Sequence, residues 1–280
     1  MEANDEQIQY WSSSAGPIWV EIRERLERQT AIFGDPALER AGAAPGERVL
    51  DIGCGCGATS LELARRVGPT GGVLGVDVSG VMLDQARARA ADVGITNVDF
   101  AEADVQTVEL PPVYDLAFSR FGVMFFSDPV AAFTNIRRAL RRGGRLTFVC
   151  WQTPSANPWL SAPGRVAADI FSLPAPAAGT NPGPFSLADS DRVSQVLNDA
   201  GFSAIELSSE ERAVRFAEAA DVPDWIRNTL RMGHAREQYE AASPEQQEAA
   251  RAAVLQAMAP YLVADGLQAP GAAWLVTASA

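Results

Sequence analysis

The sequence predicts an α/β fold in which a parallel sheet is covered by helices on both faces. Between residues 45 and 151, short apolar runs alternate with helical patterns, the signature of that architecture. A run of glycines follows the first apolar run directly, as it does where a strand turns into a helix beneath a ligand. Apolar residues make up 47% of the 280, enough to bury a core at this length.

Each element is justified in turn. Arg48 to Ile52 is the first strand, and a helix follows the glycines from about Ala58 to Val67. Gly72 to Asp77 is the second strand, with Ser79 as N-cap of a helix running through about Asp92. Val98 to Phe100 and Tyr114 to Ser119 are the third and fourth strands. Asp128-Pro129 opens the next helix, with proline where its missing N–H costs least, and Gly143-Gly144 is expected to stop it. Arg145 to Trp151, almost continuously apolar, reads as a fifth strand covered on both faces. Beyond it the pattern loosens. Residues 152–184 read as a Pro/Ala/Gly-rich insertion with one short helix around Pro163 to Phe171. Asp191 to Ala200 is helical, Ser203 to Leu207 a strand, 218–258 two or three helices, and Ala273 to Ala278 a closing strand. The organisation expected is an N-terminal helical arm (1–44), a core (45–151), the insertion (152–184), core continued (185–217), a helical lid (218–268) and the final core strand (269–280).

Charge and composition exclude whole classes. With 23 basic and 35 acidic side chains the net charge is −12, which argues against a nucleic-acid surface. All 23 basic residues are arginine, so Schiff-base chemistry and the phosphate-loop lysine are excluded. One histidine cannot make the two-histidine metal motifs, and Cys54-x-Cys56 has no second Cys/His pair, so no metal site is expected. Three cysteines fit a reducing compartment. The start of the chain is acidic and polar, and no 18-residue apolar stretch exists; a cytoplasmic protein without a membrane span is expected.

The chemistry concentrates in Val49-Leu-Asp-Ile-Gly-Cys-Gly-Cys-Gly57. Glycines after a strand admit a ligand close to the backbone, and Asp77, twenty residues past Gly57, can accept both hydroxyls of a ribose. A nucleoside-containing cofactor follows. Gly53, Gly55 and Ala58 satisfy the relaxed dinucleotide pattern, so an NAD(P)-dependent oxidoreductase is one reading. Asp51, two residues before the first glycine, suits a cationic ligand better than a pyrophosphate, and Asp104 can accept an adenine amino group.

Asp51 to Gly57, Asp77-Val-Ser-Gly-Val-Met-Leu83, Ala103-Asp-Val105 and Ser119-Arg-Phe-Gly-Val-Met124 together resemble the class I S-adenosylmethionine-dependent methyltransferases, and within them the small-molecule branch that includes the ubiquinone/menaquinone-type enzymes. The resemblance implies a Rossmann-like, mostly parallel seven-stranded sheet whose last strand is antiparallel. It also implies S-adenosyl-L-methionine as cofactor and S-adenosyl-L-homocysteine as product. By similarity, Gly53, Cys54 and Gly55 line the methionine moiety, Asp51 positions its ammonium, and Asp77 holds the ribose. Val78 and Met82 flank adenine, Asp104 takes its N6 and the Val105 N–H a ring nitrogen. Ser119 and Arg120 offer backbone groups beside the transferred methyl. Cys56 stands where many relatives carry threonine or serine.

Methyl transfer from a sulfonium is an in-line displacement, so positioning does much of the work and a base is needed only if the acceptor loses a proton. His234 is the candidate base by its ordinary pKa, against a solvated histidine in a polar stretch. Tyr10, Trp11 and Trp19 belong either to a packed amphipathic helix or to a cover over the cofactor. Phe121, Phe125 and Phe126, with Trp151, Trp159, Phe171 and Trp225, divide between core and the wall of an apolar acceptor pocket. The expected activity is methyl transfer to oxygen or carbon of a small, largely apolar metabolite. The alternatives are the oxidoreductase and a non-catalytic S-adenosylmethionine-binding partner, the latter having no open acceptor cavity beside residues 119–126.

Overall fold

A computed structural model of the chain describes residues 4–174, 179 and 181–280. The parallel half of the sheet forms from β1 (Arg48–Ile52), β2 (Gly72–Asp77), β3 (Val98–Glu102), β4 (Tyr114–Arg120) and β5 (Leu140–Trp151). β6 (Ser203–Glu218), β7 (Leu262–Val263) and β8 (Gly266–Ser279) complete it. The order is β3-β2-β1-β4-β5-β8-β6, with β7 paired to β8 as a two-residue hairpin strand. β1 to β5 pair in parallel, whereas β8 runs antiparallel to both β5 and β6. This is the Rossmann-like arrangement predicted, with the small β7 added. The strand order reverses between β1 and β4, and in such sheets the ligand crevice opens at the carboxyl ends of those strands.

The arm comprises α1 (Asp5–Gln9), a π-helical turn (Tyr10–Ala15), α2 (Gly16–Glu21) and α3 (Arg23–Ala41), which ends on Gly42 in the left-handed region. α4 (Ala58–Val67) and α5 (Gly80–Asp92) join the first three strands, and α6 (Pro129–Ala139) joins β4 to β5. α7 (Pro158–Ile170) and α8 (Ser190–Asp199) precede β6; α9 (Val222–Met232), α10 (Arg236–Ala241) and α11 (Pro244–Met258) precede β7. Asp128 caps its helix as expected, whereas Ser79 holds the N-cap position of α5 without a side-chain cap bond, its hydroxyl being spent on the Trp11 carbonyl. The Asp128 carboxylate accepts the Ala131 N–H, and Ser243 forms a capping box with Gln246 around Pro244. Phe118, Phe133, Phe148, Leu50 and Leu116 are fully buried at the centre.

Several boundaries differ from the sequence reading. α6 stops at Ala139, not at Gly143-Gly144, because Leu140 turns extended and pairs with Tyr114, while Gly143 (φ +80°) lies within a register shift of that ladder. Arg141 therefore lies on the extended strand rather than in the helix and pairs with Asp115, while Arg145 pairs with Glu47. α7 begins at Pro158, five residues before Pro163, with proline at the helix start and the preceding Asn157 anchored to both the N–H and the carbonyl of Ala272. β6 runs sixteen residues rather than five, and β8 begins at Gly266 rather than Ala273. They pair from Ser203↔Ser279 to Glu218↔Gly266, so a partner strand extends a segment too polar to read as strand on its own. No helix among the described residues is long and apolar enough to cross a membrane.

Candidate functional site

The glycine loop leaves β1 with Gly53 (φ +63°) and Gly55 (φ +55°) in backbone conformations that L side chains rarely adopt. Space forbids a side chain as well. A Cβ on Gly53 would lie 2.8 Å from the Cα of Gly122, and one on Gly55 would lie 2.9 Å from the Met82 methyl. The Gly53 N–H is held by the Val76 carbonyl at 2.8 Å, which ties the loop to the end of β2.

Asp51 lies beneath this loop, fully buried. Its Oδ2 accepts hydrogen bonds from Thr59 Oγ1 (2.7 Å) and Ser60 Oγ (2.6 Å) in the first turn of α4, while Oδ1 has no partner. Burial pushes its carboxyl up from 3.8 to about 6, with the two hydroxyls and the Arg120 charge pulling the other way. Near neutral pH it is an ionised carboxylate with one oxygen unsatisfied, an arrangement that favours a cation.

Asp77, at the end of β2, accepts the Gly55 N–H on Oδ2 (2.8 Å) and the Ser79 N–H on Oδ1 (3.0 Å). Burial raises its pKa, and the Glu102 carboxylate, opposite it in register on β3, raises it further. The Asp77 carbonyl accepts the Ala103 N–H at 3.0 Å, bringing the Asp104 turn alongside. Asp104 closes that turn by accepting the Gln106 N–H at 2.9 Å, and Asn135 Nδ2 holds the carbonyls of Val105 (2.8 Å) and Val108 (2.7 Å). Val105 and Met82 are buried.

At the end of β4, Ser119 Oγ donates to the Ile52 carbonyl at 2.8 Å and accepts the Gly122 N–H at 3.2 Å. Its hydroxyl is thus spent on joining β4 to the glycine loop. Phe121 adopts φ +59°, a strained conformation for an aromatic residue, and stacks on Trp151 at 3.8 Å. The rings of Phe33, Trp151, Trp159, Phe216 and Trp225 continue that contact into one buried cluster. Phe126 instead meets Phe133, and Phe125 meets Trp11 at 5.0 Å. Cys54, Cys56 and Cys150 are free and buried, and burial pushes all three thiols up, leaving them protonated.

The arm packs against the end of β2. Ser12 Oγ donates to the Val78 carbonyl at 3.0 Å, Ser79 Oγ donates to the Trp11 carbonyl at 2.9 Å, and the Tyr10 hydroxyl donates to the Met232 carbonyl at the end of α9. His234 is exposed in the turn between α9 and α10, with Nε2 3.2 Å from the Pro174 carbonyl. Because a carbonyl only accepts, that contact requires the proton on Nε2.

The structure therefore gathers Asp51, Gly53, Cys54, Gly55, Asp77, Val78, Met82, Asp104, Val105, Ser119 and Arg120 at the carboxyl ends of four adjacent strands, and sets His234 on the helical segment beyond β6. Sequence reasoning missed Thr59, Ser60 and Gly122. The signal for the first two was a pair of hydroxyl residues in the helix turn facing Asp51; for Gly122 it was a glycine directly after the fourth strand.

The family described as "Methyltransferase domain" matches residues 49–144. The aklanonic acid methyltransferase DauC of Streptomyces sp. (strain C5) is 38% identical over 138 residues, 49% of this chain and 60% of that protein. The nocamycin O-methyltransferase of Saccharothrix syringae is 30% identical over 190 residues, 65% of this chain and 68% of that protein. The chain thus spans less than two thirds of the first of these relatives. Among solved structures, the YcgJ protein of Bacillus subtilis superposes with a TM-score of 0.57 at 19% identity, covering 86% of this chain and 95% of that one, a likeness of fold.

Proposed function

The chain belongs to the class I S-adenosylmethionine-dependent methyltransferases, and from that premise we propose that it transfers a methyl group to oxygen or carbon of a small, largely apolar acceptor, releasing S-adenosylhomocysteine. The observation that carries the reading is Asp51: a buried carboxylate with an unpartnered oxygen directly under a loop whose glycines have no room for a side chain. A dinucleotide pyrophosphate would meet that charge with repulsion; the ammonium of a methionine moiety would be drawn to it.

When bound, S-adenosylmethionine supplies an electrophilic methyl group on a sulfonium. The chain's own residues hold and orient it. Asp51 Oδ1 takes the ammonium, and the backbone of Gly53, Cys54 and Gly55 lines the methionine moiety. Each Asp77 oxygen already accepts one N–H and keeps a second lone pair for a ribose hydroxyl. Val78 and Met82 flank adenine, Asp104 accepts from its amino group, and the Val105 N–H reaches a ring nitrogen. Main-chain groups at Ser119 and Arg120 border the transferred methyl. The acceptor is brought in line by the aromatic wall that starts at Phe121, while the arm and the 218–268 lid exclude water. The Tyr10–Met232 hydrogen bond supports a lid and arm that move together. His234 is the candidate proton acceptor.

Calorimetric titration with S-adenosylhomocysteine, NAD and NADP tests the reading. Micromolar binding of the first alone is expected. Saturable NAD binding would replace it with the oxidoreductase; S-adenosylhomocysteine binding without turnover across an acceptor screen would make the chain a non-catalytic partner.

A further inference from the structure

Five side-chain polar atoms are buried without a hydrogen-bond partner among the described residues: Asn4 Oδ1, Arg25 Nε, Asp51 Oδ1, Trp159 Nε1 and Asn228 Oδ1. Asp51 belongs to the glycine-loop site, and Asn4 lies at the start of the arm. Arg25 lines an open surface groove with Arg28 and Asp221, and feels the charges of Asp221 and Asp224. The Trp159 indole N–H is shut in: a Cβ on Gly271 would meet Val214 at 2.5 Å, Trp159 Nε1 at 3.2 Å and Phe33 at 3.3 Å. Asn228 remains. It is 3% exposed, and it is the one polar residue among those that α9 buries, beside Trp225, Ile226 and Leu230.

Two chains of rings connect α9 to the segment that follows β4. From Phe121 one runs through Trp151, Trp159 and Phe216 to Trp225, the last contact at 4.7 Å. From Phe125 the other runs through Trp11 (5.0 Å) to Tyr10 (5.3 Å), whose hydroxyl donates to the Met232 carbonyl. Asn228 follows Trp225 by three residues and precedes Met232 by four, so all three share one face of α9. The amide therefore lies between the points where the two chains arrive. An amide oxygen buried without a partner forfeits the hydrogen bonds that water gave it, so its retention there points to a ligand that returns the bond. A flat aromatic body suits the rings on either side. A hydroxyl suits the amide, because it can donate to the oxygen and accept from the nitrogen.

We propose that Asn228 is a specificity-determining residue, whose amide binds a hydroxyl on an aromatic acceptor held against α9 between the two ring chains. This rests on the methyltransferase reading, and gives its largely apolar acceptor a polar group by which the helical lid selects it.

The test is equilibrium dialysis of 2-naphthol, and of naphthalene, which lacks the hydroxyl, against protein saturated with S-adenosylhomocysteine. Wild type, Asn228→Leu and Asn228→Ala are compared, with thermal melts to verify folding. The wild type is expected to bind 2-naphthol at least about 10-fold tighter than naphthalene, because an unpaired buried amide rejects the analogue that lacks the hydroxyl. Asn228→Leu is expected to bring the two within threefold by weakening 2-naphthol, with S-adenosylhomocysteine affinity unchanged. No preference in the wild type, a preference that survives in Asn228→Leu, or equal weakening of both probes would overturn the assignment. Should Asn228→Leu fail to fold, Asn228→Ala, which suits a helix, decides by the same ratio. A wild type that binds no S-adenosylhomocysteine would bring down the methyltransferase reading first, a separate result, and this assignment with it.

Discussion

The Asp77 carboxylate accepts the Gly55 N–H at 2.8 Å, so the side chain expected to read the ribose also holds the crown of the glycine loop. Replacing it removes a ligand contact and loosens the loop together. Asp77→Ala is expected to weaken S-adenosylhomocysteine by roughly 10- to 100-fold, the range for a lost hydrogen bond to a charged group. Calorimetry on wild type and variant measures it; unchanged affinity would remove Asp77 from the site.

Asp51 is predicted to trade stability for binding. Its folded pKa of about 6 lies above the ordinary 3.8, so the folded state holds the proton more tightly than the unfolded chain. Its contribution is favourable below about pH 4 and is lost as pH rises to about 6, a cost of ~3 kcal/mol at neutral pH. Asp51→Asn keeps an oxygen for Thr59 and Ser60 without the charge. It should raise the melting temperature and weaken S-adenosylhomocysteine at pH 8, and change both little at pH 4, where Asp51 of the wild type is itself protonated. The wild-type affinity should fall as pH drops below about 6, and that slope should vanish in the variant.

Gly122 and Gly53 touch through their backbones, and a Cβ on Gly122 would sit 2.8 Å from the Ile52 carbonyl. Gly122 has an ordinary φ of −88°, so alanine there is penalised by crowding alone. Gly122→Ala should cost about 1–3 kcal/mol in chemical denaturation and displace the glycine loop, read as weaker binding of S-adenosylhomocysteine.

The arm is pinned by Tyr10, whose hydroxyl donates to the Met232 carbonyl; burial pushes its pKa to about 12, so it stays a donor across the working pH range. Tyr10→Phe should release about 1 kcal/mol of local stability, seen as faster amide hydrogen exchange in residues 5–21 with little change in the global melt. Equal exchange in both proteins would contradict the latch.

His234→Ala separates binding from proton transfer. S-adenosylhomocysteine affinity should stay as in the wild type, since the ring is exposed and faces Pro174. If His234 takes the acceptor's proton, kcat falls; unchanged turnover removes it from the chemistry.

Local chemistry made much of this legible in advance. Strand-end residues Asp51, Asp77 and Asp104 were readable because a parallel strand, its glycine turn and its following helix are contiguous in the chain. The Asp128 cap was readable for the same reason. What lay beyond reach depended on partners far away: β6 became a sixteen-residue strand only beside β8, and α6 yielded Leu140 only to Tyr114. The sequence by itself determined the parallel α/β core and which residues gather at its carboxyl edge, because period and turn chemistry are local. Only the tertiary structure decided that Asp51 keeps one oxygen free, that the Ser119 hydroxyl is spent on the loop, and that two ring chains reach α9 on either side of Asn228, since each depends on contacts between segments distant in the chain.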